Sequence, residues 1–318
     1  MKSGTKRILL VAAIALSFAF SRFQDQINPY FLAIIIYVGI NTVLASSLNL
    51  ISGFTGQFSL GHAGFMSLGA YTASMITLSL HASPGDASSF VTFPLGLLAG
   101  GVVASIAGLL VGIPTLRLKG DYLAITTLGL GEIIRVIIQN LEFVGGARGL
   151  VGIPKFSSLF WVFSVVAVVI FMISNLINST YGKGFLAVRD DEVAAQAMGI
   201  NTTKFKVIAF ITGAFFAGVA GGLYAHFISY ITPSQFGFIK SIEIVVMVIV
   251  GGMGNTVGVI LAAVLLTILP EALRGVAEYR MVLYSLMLVI IMISRPQGLF
   301  GTGFKKFLRK SRKQPATT

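Results

Sequence analysis

Charged residues are absent from three long stretches of the chain. None occurs from Gln26 to Gly85, from Ala87 to Leu116, or from Val207 to Ile239. A single helix over the first stretch would be about 90 Å long at about 1.5 Å per residue, whereas the hydrocarbon core of a bilayer is about 30 Å thick. The chain must therefore cross and return within that stretch, and the pattern predicts an all-α, polytopic integral membrane bundle.

Apolar runs predict ten candidate spans, so we expect about 8–10 transmembrane helices with Gly-rich broken or re-entrant segments. The eighth run is too short to cross alone. Eight crossings result if that run and the glycines after it form a re-entrant hairpin and the first run does not cross fully. The ten runs are Ile8 to Phe20, Tyr30 to Ile51, Phe65 to Leu80, Val91 to Leu116, Tyr122 to Leu141, Leu159 to Asn178, Val207 to Tyr230, Ile242 to Val250, Val257 to Leu269 and Met281 to Ser294.

The basic residues predict how the chain is oriented. The first run follows Lys2, Lys6 and Arg7, as a signal peptide does, but no clear small-x-small cleavage site comes after it, so an uncleaved first span is expected. With a cytoplasmic N-terminus and ten crossings, sixteen Lys and Arg residues fall inside and six outside. This bias favours both termini on the cytoplasmic side.

Composition excludes several kinds of chemistry. The chain of 318 residues is 55% hydrophobic and 11% charged, and it contains no cysteine and three histidines. A thiol nucleophile and a Cys-based zinc site are therefore excluded, and His62, His81 and His226 lie far apart, so no metal centre is expected. Six of the 23 basic residues lie from Lys305 onward. We interpret this tail, residues 305–318, as a topology signal rather than a nucleic-acid site.

Motifs for nucleotide binding and catalysis are absent from the sequence. No phosphate loop, H-E-x-x-H or G-x-S-x-G motif occurs, and Gly129-Leu130-Gly131 lacks the third glycine of a dinucleotide fingerprint. We therefore expect the chain itself to bind no ATP, NAD or other cofactor. No catalytic residue is assigned.

Two glycine clusters interrupt apolar runs, SGFTGQFSLGHAGF from Ser52 and GGMGNTVG from Gly251. Backbone freed from helical bonding at membrane depth is tolerated only against protein or a water-filled path, so the clusters point to a route across the membrane. Close helix packing by small residues is the alternative, and it is favoured for Gly100, Gly101, Gly221 and Gly222. The predicted translocation-path residues are Gly53, Gly56, Gln57, Ser59, Gly61 and His62.

After the glycine clusters, Glu132 and Arg135 are the second feature of the sequence that indicates a specific role. They lie three residues apart on one helical face within the fifth span. An unpaired charge there would cost at least several kcal/mol, so the two are expected to face the bundle and to pair with each other or with a neighbour. An ion pair that holds helices together and a role in gating or substrate contact both remain open.

The third feature is the only sizeable segment predicted on the cytoplasmic side, Ser179 to Lys206. Its middle, EVAAQAMG, is short, favours a helix and ends at a glycine, with charges before it. A short helix on a loop can dock into a groove of a partner, although an ordinary connecting helix has the same pattern. The predicted coupling residues are Arg189, Asp190, Glu192, Ala194, Ala195 and Gly199.

Five motifs in order resemble the branched-chain amino acid ABC transporter permeases of the LivH/LivM type. The motifs are SGFTGQFSLGHAGFMSLGAY, LRLKGDYLAITTLGLGEIIRVI, GFLAVRDDEVAAQAMGIN with the helix that follows it, GGMGN and RPQGLFG. The resemblance covers about residues 48–301, and the second motif is more similar to LivM than to LivH. Urea, amide and other amino acid permeases are similar too, so the motifs do not identify the solute.

The resemblance implies a permease subunit of an ATP-driven importer in a bacterial-type plasma (inner) membrane. Its partners would be a LivH-like second permease, two ATP-binding subunits, an extracytoplasmic substrate-binding protein and membrane lipid. Residues 1–304 would form the permease domain, with a coupling loop at about 179–206. That loop is similar to the EAA loop of ABC importers, with Ala194, Ala195 and Gly199 in matching positions. It departs in that Val193 stands where the glutamate belongs, with Glu192 one residue early, and in that no proline follows at the expected distance.

Two other classes of function remain as alternatives. An ion-coupled secondary transporter acting alone would use the Glu132 and Arg135 pair as its coupling site. An integral-membrane enzyme is the third class. The lack of clustered membrane acids or histidines counts against both.

Overall fold

The computed structural model describes residues 3–22, 24–81, 89–115, 118 and 120–273, with isolated positions at 285, 286, 289, 290, 293 and 298. Most of the tenth predicted span and the whole tail from 305 lie outside these residues. The described residues form eleven α-helices, which are α1 Ser3–Ser21, α2 Pro29–Leu48, α3 His62–Ser79, α4 Ser89–Thr115, α5 Asp121–Asn140, α6 Leu159–Ile177, α7 Thr180–Asp190, α8 Glu192–Ala197, α9 Thr202–Ile228, α10 Phe238–Gly251 and α11 Thr256–Ala272.

The all-α class predicted from the sequence is confirmed. Nine of the ten predicted spans coincide with described helices, and α7 and α8 lie in the predicted coupling segment. The strands of the described residues are two short ones, β1 Leu150–Val151 and β2 Tyr230–Ile231, which pair antiparallel with Leu150 opposite Ile231. They join the loop after α5 to the end of α9 and close one end of the bundle.

The long helices run between two ends of the bundle. At one end, the last turns of α2 and α7 meet the loop before α11, because the Gly254 amide donates to Asn49 Oδ1 over 2.8 Å and Arg189 Nη1 donates to the Gly53 carbonyl over 3.4 Å. We call this the α8 end, because α8 follows α7 directly. The opposite end, where β1 pairs with β2, is the β end. Helices α5 and α11 start at the α8 end, whereas α10 starts at the β end and finishes beside Gly254.

Helices α3, α4 and α9 pack through glycines at the centre. A Cβ added at Gly69 would lie 2.0 Å from the Gly218 carbonyl oxygen, and one at Gly221 would lie 1.9 Å from the Met66 carbonyl oxygen. Gly100 sits against Gly69 in the same way. Small residues let helix backbones approach where lipid offers no hydrophobic driving force between helices. Close packing, the alternative favoured for these glycines, is therefore what the structure contains.

Five helical stretches among the described residues are long and apolar enough to cross a bilayer. They are Pro29–Phe54, Ser89–Thr115, Leu159–Ile177, Thr202–Ile228 and Pro233–Gly251. The last stretch joins a short 3-10 helix, Pro233–Phe236, to α10 and corrects the expectation that the eighth run is too short to cross alone. Helix α10 itself begins at Phe238, four residues before the predicted start at Ile242, and Lys240 in its first turn pairs with Glu243 over 2.7 Å.

Candidate functional site

The first glycine cluster breaks the helical path at the α8 end. After α2 the backbone winds into a π-helix, Asn49–Phe54, and then loses regular structure until α3 begins at His62. Gly56 has φ of +70°, which disfavours other residue types. A Cβ at Gly53 would lie 2.0 Å from Asn49 Oδ1 and 2.3 Å from the Gly254 nitrogen. Only glycine at position 53 leaves room for the second glycine cluster to approach. We call residues 49–61 the broken segment.

The broken segment contacts the predicted coupling segment directly. Arg189, the next-to-last residue of α7, donates from Nη1 to the Gly53 carbonyl and pairs with Asp190 over 2.9 Å. Its Cγ lies 3.1 Å from the position that a Cβ on Gly56 would take. Two sets of residues that the sequence predicted for separate roles, path and coupling, are therefore in contact.

The end of the broken segment and the first residues of α3 are held by polar groups of neighbouring helices. The Leu60 amide donates to Thr127 Oγ1 of α5 over 3.0 Å, and the Ala63 amide donates to Ser241 Oγ of α10 over 3.2 Å. His62 Nε2 lies 2.8 Å from Ser47 Oγ of α2. Any movement of this segment therefore changes bonds to α2, α5 and α10 together.

Unpaired buried polar atoms concentrate around the same segment. Buried polar groups are nearly always hydrogen-bonded in proteins, and the cost of leaving one unpaired is about 1–3 kcal/mol. Within the described part of the chain seven buried side-chain atoms have no partner, and all but Tyr71 Oη lie between positions 46 and 62. They are Ser46 Oγ, Asn49 Nδ2, Ser52 Oγ, Gln57 Oε1, Ser59 Oγ and His62 Nδ1. These six atoms are therefore available to bond to water, a solute or a rearranged neighbour.

A cleft of about 380 Å³ opens beside the broken segment at the α8 end. Residues of three regions form its walls: the broken segment, the first turn of α5, and the stretch from Val188 to Glu192, closed by Lys206 of α9. Gly56 is exposed on this cleft, whereas Gln57, Ser59 and His62 are buried. The predicted path is thus closed in this conformation, with its nearest opening toward α8.

Helix α8 has well-formed ends although it spans only Glu192–Ala197. Asp191 Oδ1 accepts from the amides of Val193 and Ala194 at 2.9 and 3.0 Å, so the side chain caps the first turn. At the other end Gly199 has φ of +80°, and the Ile200 amide donates to the Ala195 carbonyl over 3.0 Å. This left-handed glycine cap ends the helix sharply and turns the chain into α9.

The predicted coupling residues divide between two faces of α8. Glu192 lies on the inner face, where its Oε1 accepts from Lys206 Nζ of α9 over 2.7 Å, and Ala195 is buried beside it. Ala194 lies on the outer face, together with Val193 at 67% exposure and the following Met198 at 82% exposure. Glu192 therefore ties α8 to α9, and Val193 and Met198 are exposed apolar side chains on the outer side.

Glu132 and Arg135 are in contact within α5, with Arg135 Nε 2.6 Å from Glu132 Oε2. Glu132 also accepts from the Phe238 amide at the start of α10 over 3.1 Å, so the carboxylate joins the two helices. Both side chains remain about 30% exposed. A second pair, Lys240 and Glu243, lines one cavity together with Glu132 and Arg135.

Several residues of these sites were missed from the sequence. Asn49 is an ordinary polar residue in an apolar run, and nothing in its spacing indicates that its amide side chain receives Gly254. Asp191 is recognisable as a helix cap, and Lys240 with Glu243 are recognisable as an i, i+3 pair at the start of α10. Among the described residues no three His, Asp or Glu side chains lie close enough to hold a metal ion.

The fold and the site define a helical membrane protein in which a broken helix touches a small, capped helix at one end of the bundle. Residues 30–292 match the family described as "Branched-chain amino acid transport system / permease component", so the chain belongs to that family. The resemblance inferred from the five motifs is thereby confirmed.

Relatives of both permease types are similar to the chain. It is 36% identical to the high-affinity branched-chain amino acid transport system permease protein LivM of Salmonella typhimurium and 35% identical to that of Escherichia coli. Each alignment covers 92% of this chain and 73% of the relative. The corresponding LivH protein of Escherichia coli is 24% identical over 81% of this chain and 90% of its own length. No solved structure matches the chain.

Proposed function

We propose that this chain is the LivM-like permease subunit of an ATP-driven importer for branched-chain amino acids. The proposal includes a LivH-like second permease, two ATP-binding subunits and an extracytoplasmic binding protein that delivers the solute. The similarity to LivM over most of the chain supports the class of solute. The observation that carries the mechanism is the contact of Arg189, next to α8, with Gly53 in the broken segment.

The α8 end is the cytoplasmic side in this proposal. Lys183, Arg189, Lys204 and Lys206 lie in or next to α7, α8 and the start of α9, as the excess of basic residues on cytoplasmic loops requires. The N-terminus of α1 lies at the same end, because Phe18 near the other end of α1 packs on Phe160 in the first turn of α6, on the β end. We propose that both termini lie on the cytoplasmic side of a bacterial inner membrane.

Coupling would run from the ATP-binding subunits through α8. Val193 and Met198 supply apolar side chains that can enter a groove of such a subunit. Displacement of α8 is passed to α9 by the Glu192 and Lys206 pair and to the broken segment by Arg189. The binding of ATP thereby shifts the population between a closed and an open broken segment.

Solute would pass along the broken segment. Its freed backbone and its unpaired side-chain atoms offer hydrogen-bonding groups without a fixed charge, which suits a solute that must bind briefly and leave. The apolar side chain of a branched-chain amino acid needs no charged partner on the way.

The test is reconstitution of the chain with a LivH-like permease, both ATP-binding subunits and the binding protein in vesicles. Uptake of radiolabelled leucine should require ATP and the loaded binding protein. Urea and amides in place of leucine test the other solutes of similar permeases. Uptake by this chain alone, driven by an ion gradient without ATP, would instead identify a secondary transporter.

A further inference from the structure

A second cavity, of about 560 Å³, lies between α5 and the start of α10. Its size falls within the range of about 300–1,000 Å³ that is usual for small-molecule sites. Two acids and two bases line it, so that the formal charge of its walls is zero. The exposed apolar side chains of Phe238 and Ile239 lie beside them. The charged residues are Glu132, Arg135, Lys240 and Glu243.

Two helices independently place this cavity away from the α8 end. Glu132 lies eleven residues after Asp121 on α5, or about 16 Å along the helix at about 1.5 Å per residue. Lys240 lies eleven residues before Gly251 on α10, the end that reaches the second glycine cluster. With a hydrocarbon core of about 30 Å, both distances put the cavity at or just beyond the middle of the membrane, on the side of the β end.

The four charges exclude lipid from this face. Arg135 and Glu132 are 30% and 32% exposed, and Glu243 is 44% exposed, although all lie in helices of membrane depth. Charged groups in such helices face the interior of the protein or a water-filled cavity. The face is therefore open to water and solute, or it is covered by another subunit.

The hydrogen bonds in this cavity leave one positive group, on Arg135, and one negative group, on Glu243, available to bind a ligand. Arg135 bonds to Glu132 through Nε, and neither of its terminal nitrogens has a hydrogen bond within the described residues. Lys240 bonds to Glu243 Oε2 and Asn41 Oδ1, while Glu243 Oε1 accepts no bond from the described residues. A guanidinium with two free nitrogens has the geometry to grip a carboxylate with two parallel bonds.

We propose that this cavity is the entry site for the zwitterionic form of an α-amino acid. The terminal nitrogens of Arg135 bind its carboxylate, Oε1 of Glu243 binds its ammonium group, and Phe238 and Ile239 contact its apolar side chain. Glu132 and Lys240 are positioning residues that hold the two binding groups. This inference rests on the proposed function, because it assumes that the solute arrives from the β end.

The experiment uses the absence of cysteine from the chain. Ile239→Cys, 79% exposed at the rim, is labelled with a water-soluble thiol reagent in the assembled transporter without binding protein. Leucine at ten times its Kd should slow labelling about tenfold, because only the empty fraction reacts. 3-Methylbutylamine, which lacks the carboxylate, and 4-methylpentanoate, which lacks the ammonium group, should not protect. Tyr122→Cys, equally exposed at the other end of α5, should show no protection by leucine.

Variants made together with Ile239→Cys test whether Arg135 and Glu243 bind the two charged groups of leucine. Arg135→Gln and Glu243→Gln should each weaken protection by leucine about 10- to 100-fold, the range for hydrogen bonds to charged groups. Arg148→Gln, an exposed arginine at the β end outside the cavity, should leave it unchanged. Arg135→Lys keeps the charge and should keep protection at higher leucine concentrations, which gives a readable variant where Arg135→Gln does not assemble.

Failure of this inference is separate from failure of the proposed function. ATP-dependent leucine uptake without protection of Ile239→Cys overturns the entry site and leaves the transporter intact. Equal protection by both analogues or by a neutral sugar also overturns it. An Ile239→Cys that never reacts in the assembled complex shows that the second permease covers the face, and this too overturns the proposal. Protection that needs both charges of leucine supports the site, even where no uptake is measured.

Discussion

Single residues decide whether the broken segment can meet the second glycine cluster. Gly53 has no space for a Cβ, because the two nearest atoms would lie 2.0 and 2.3 Å away, and one of them is backbone. Asn49 then bridges the two segments by accepting the Gly254 amide. The sequence predicted that glycines are needed here, but it could not show that the reason is a contact between residues some 200 positions apart.

Gly53→Ala should therefore separate the two segments and reduce transport. Forcing a methyl group into a closed contact costs about 1–3 kcal/mol, and the strain falls on the Asn49 bridge. ATP-dependent leucine uptake, normalised to the amount of assembled complex, should fall several-fold. Gly129→Ala is the matched control, because nothing lies within 4 Å of its Cβ position and alanine favours a helix. Equal uptake by both variants would contradict a tight contact at position 53.

The Glu192 and Lys206 pair should behave as a nearly buried ion pair. Lys206 is 10% exposed and Glu192 is 23% exposed, so Glu192→Gln leaves a poorly solvated ammonium group. We expect a loss of about 1–3 kcal/mol in stability. The double change of Glu192→Gln with Lys206→Met removes both charges and should recover most of it. Thermal unfolding of the purified complex measures the stability of each single variant and of the double variant, and additive losses would show that Glu192 and Lys206 do not interact.

At the scale of elements, the apolar runs located the helices but not their irregularities. Nine runs became helices whose ends differ by a few residues, because apolar length is a strong signal for a span. Helix α10 was predicted to begin four residues too late, since Lys240 was interpreted as a loop residue although it pairs with Glu243 of the same helix. The π-helix Asn49–Phe54 was not predicted, because no residue pattern distinguishes its wider hydrogen bonding from that of an α-helix.

The glycine cap that ends helix α8 can be tested by substitution. Gly199 has open space around its Cβ position, but its φ of +80° is strained for other residues. Gly199→Trp should misdirect α8 and uncouple ATP hydrolysis from transport, at a cost of about 1–2 kcal/mol in the turn. Gly199→Asn, which tolerates the left-handed conformation, should remain close to the parent. The measurement is the number of leucine molecules taken up per ATP hydrolysed, and an unchanged ratio for the tryptophan variant would show that the cap does not orient α8.

At the scale of the whole molecule, residues that the sequence assigned to separate roles lie next to each other. The predicted path residues, the predicted coupling residues and the second glycine cluster meet at the α8 end, while the two ion pairs lie toward the β end along α5 and α10. Patterns along one sequence indicate membrane depth and local structure, but they carry no information on which distant helices touch. Membership of the family was predictable from five ordered motifs, because each motif is specific.

If solute crosses along the broken segment, as proposed, the segment must open during the ATP cycle, because its polar side chains are buried in this conformation. Gln57, Ser59 and His62 are at most 3% exposed in the conformation described here, so single cysteines at these positions should react slowly with a water-soluble thiol reagent at rest. When ATP draws the two ATP-binding subunits together, the movement of α8 and Arg189 should release the broken segment, and the three cysteines should then react at a changed rate. Ile36→Cys, equally buried in the apolar part of α2, should stay inert in both states. If all three cysteines remain as inert as Ile36→Cys in every nucleotide state, the broken segment is rigid packing and the solute crosses elsewhere.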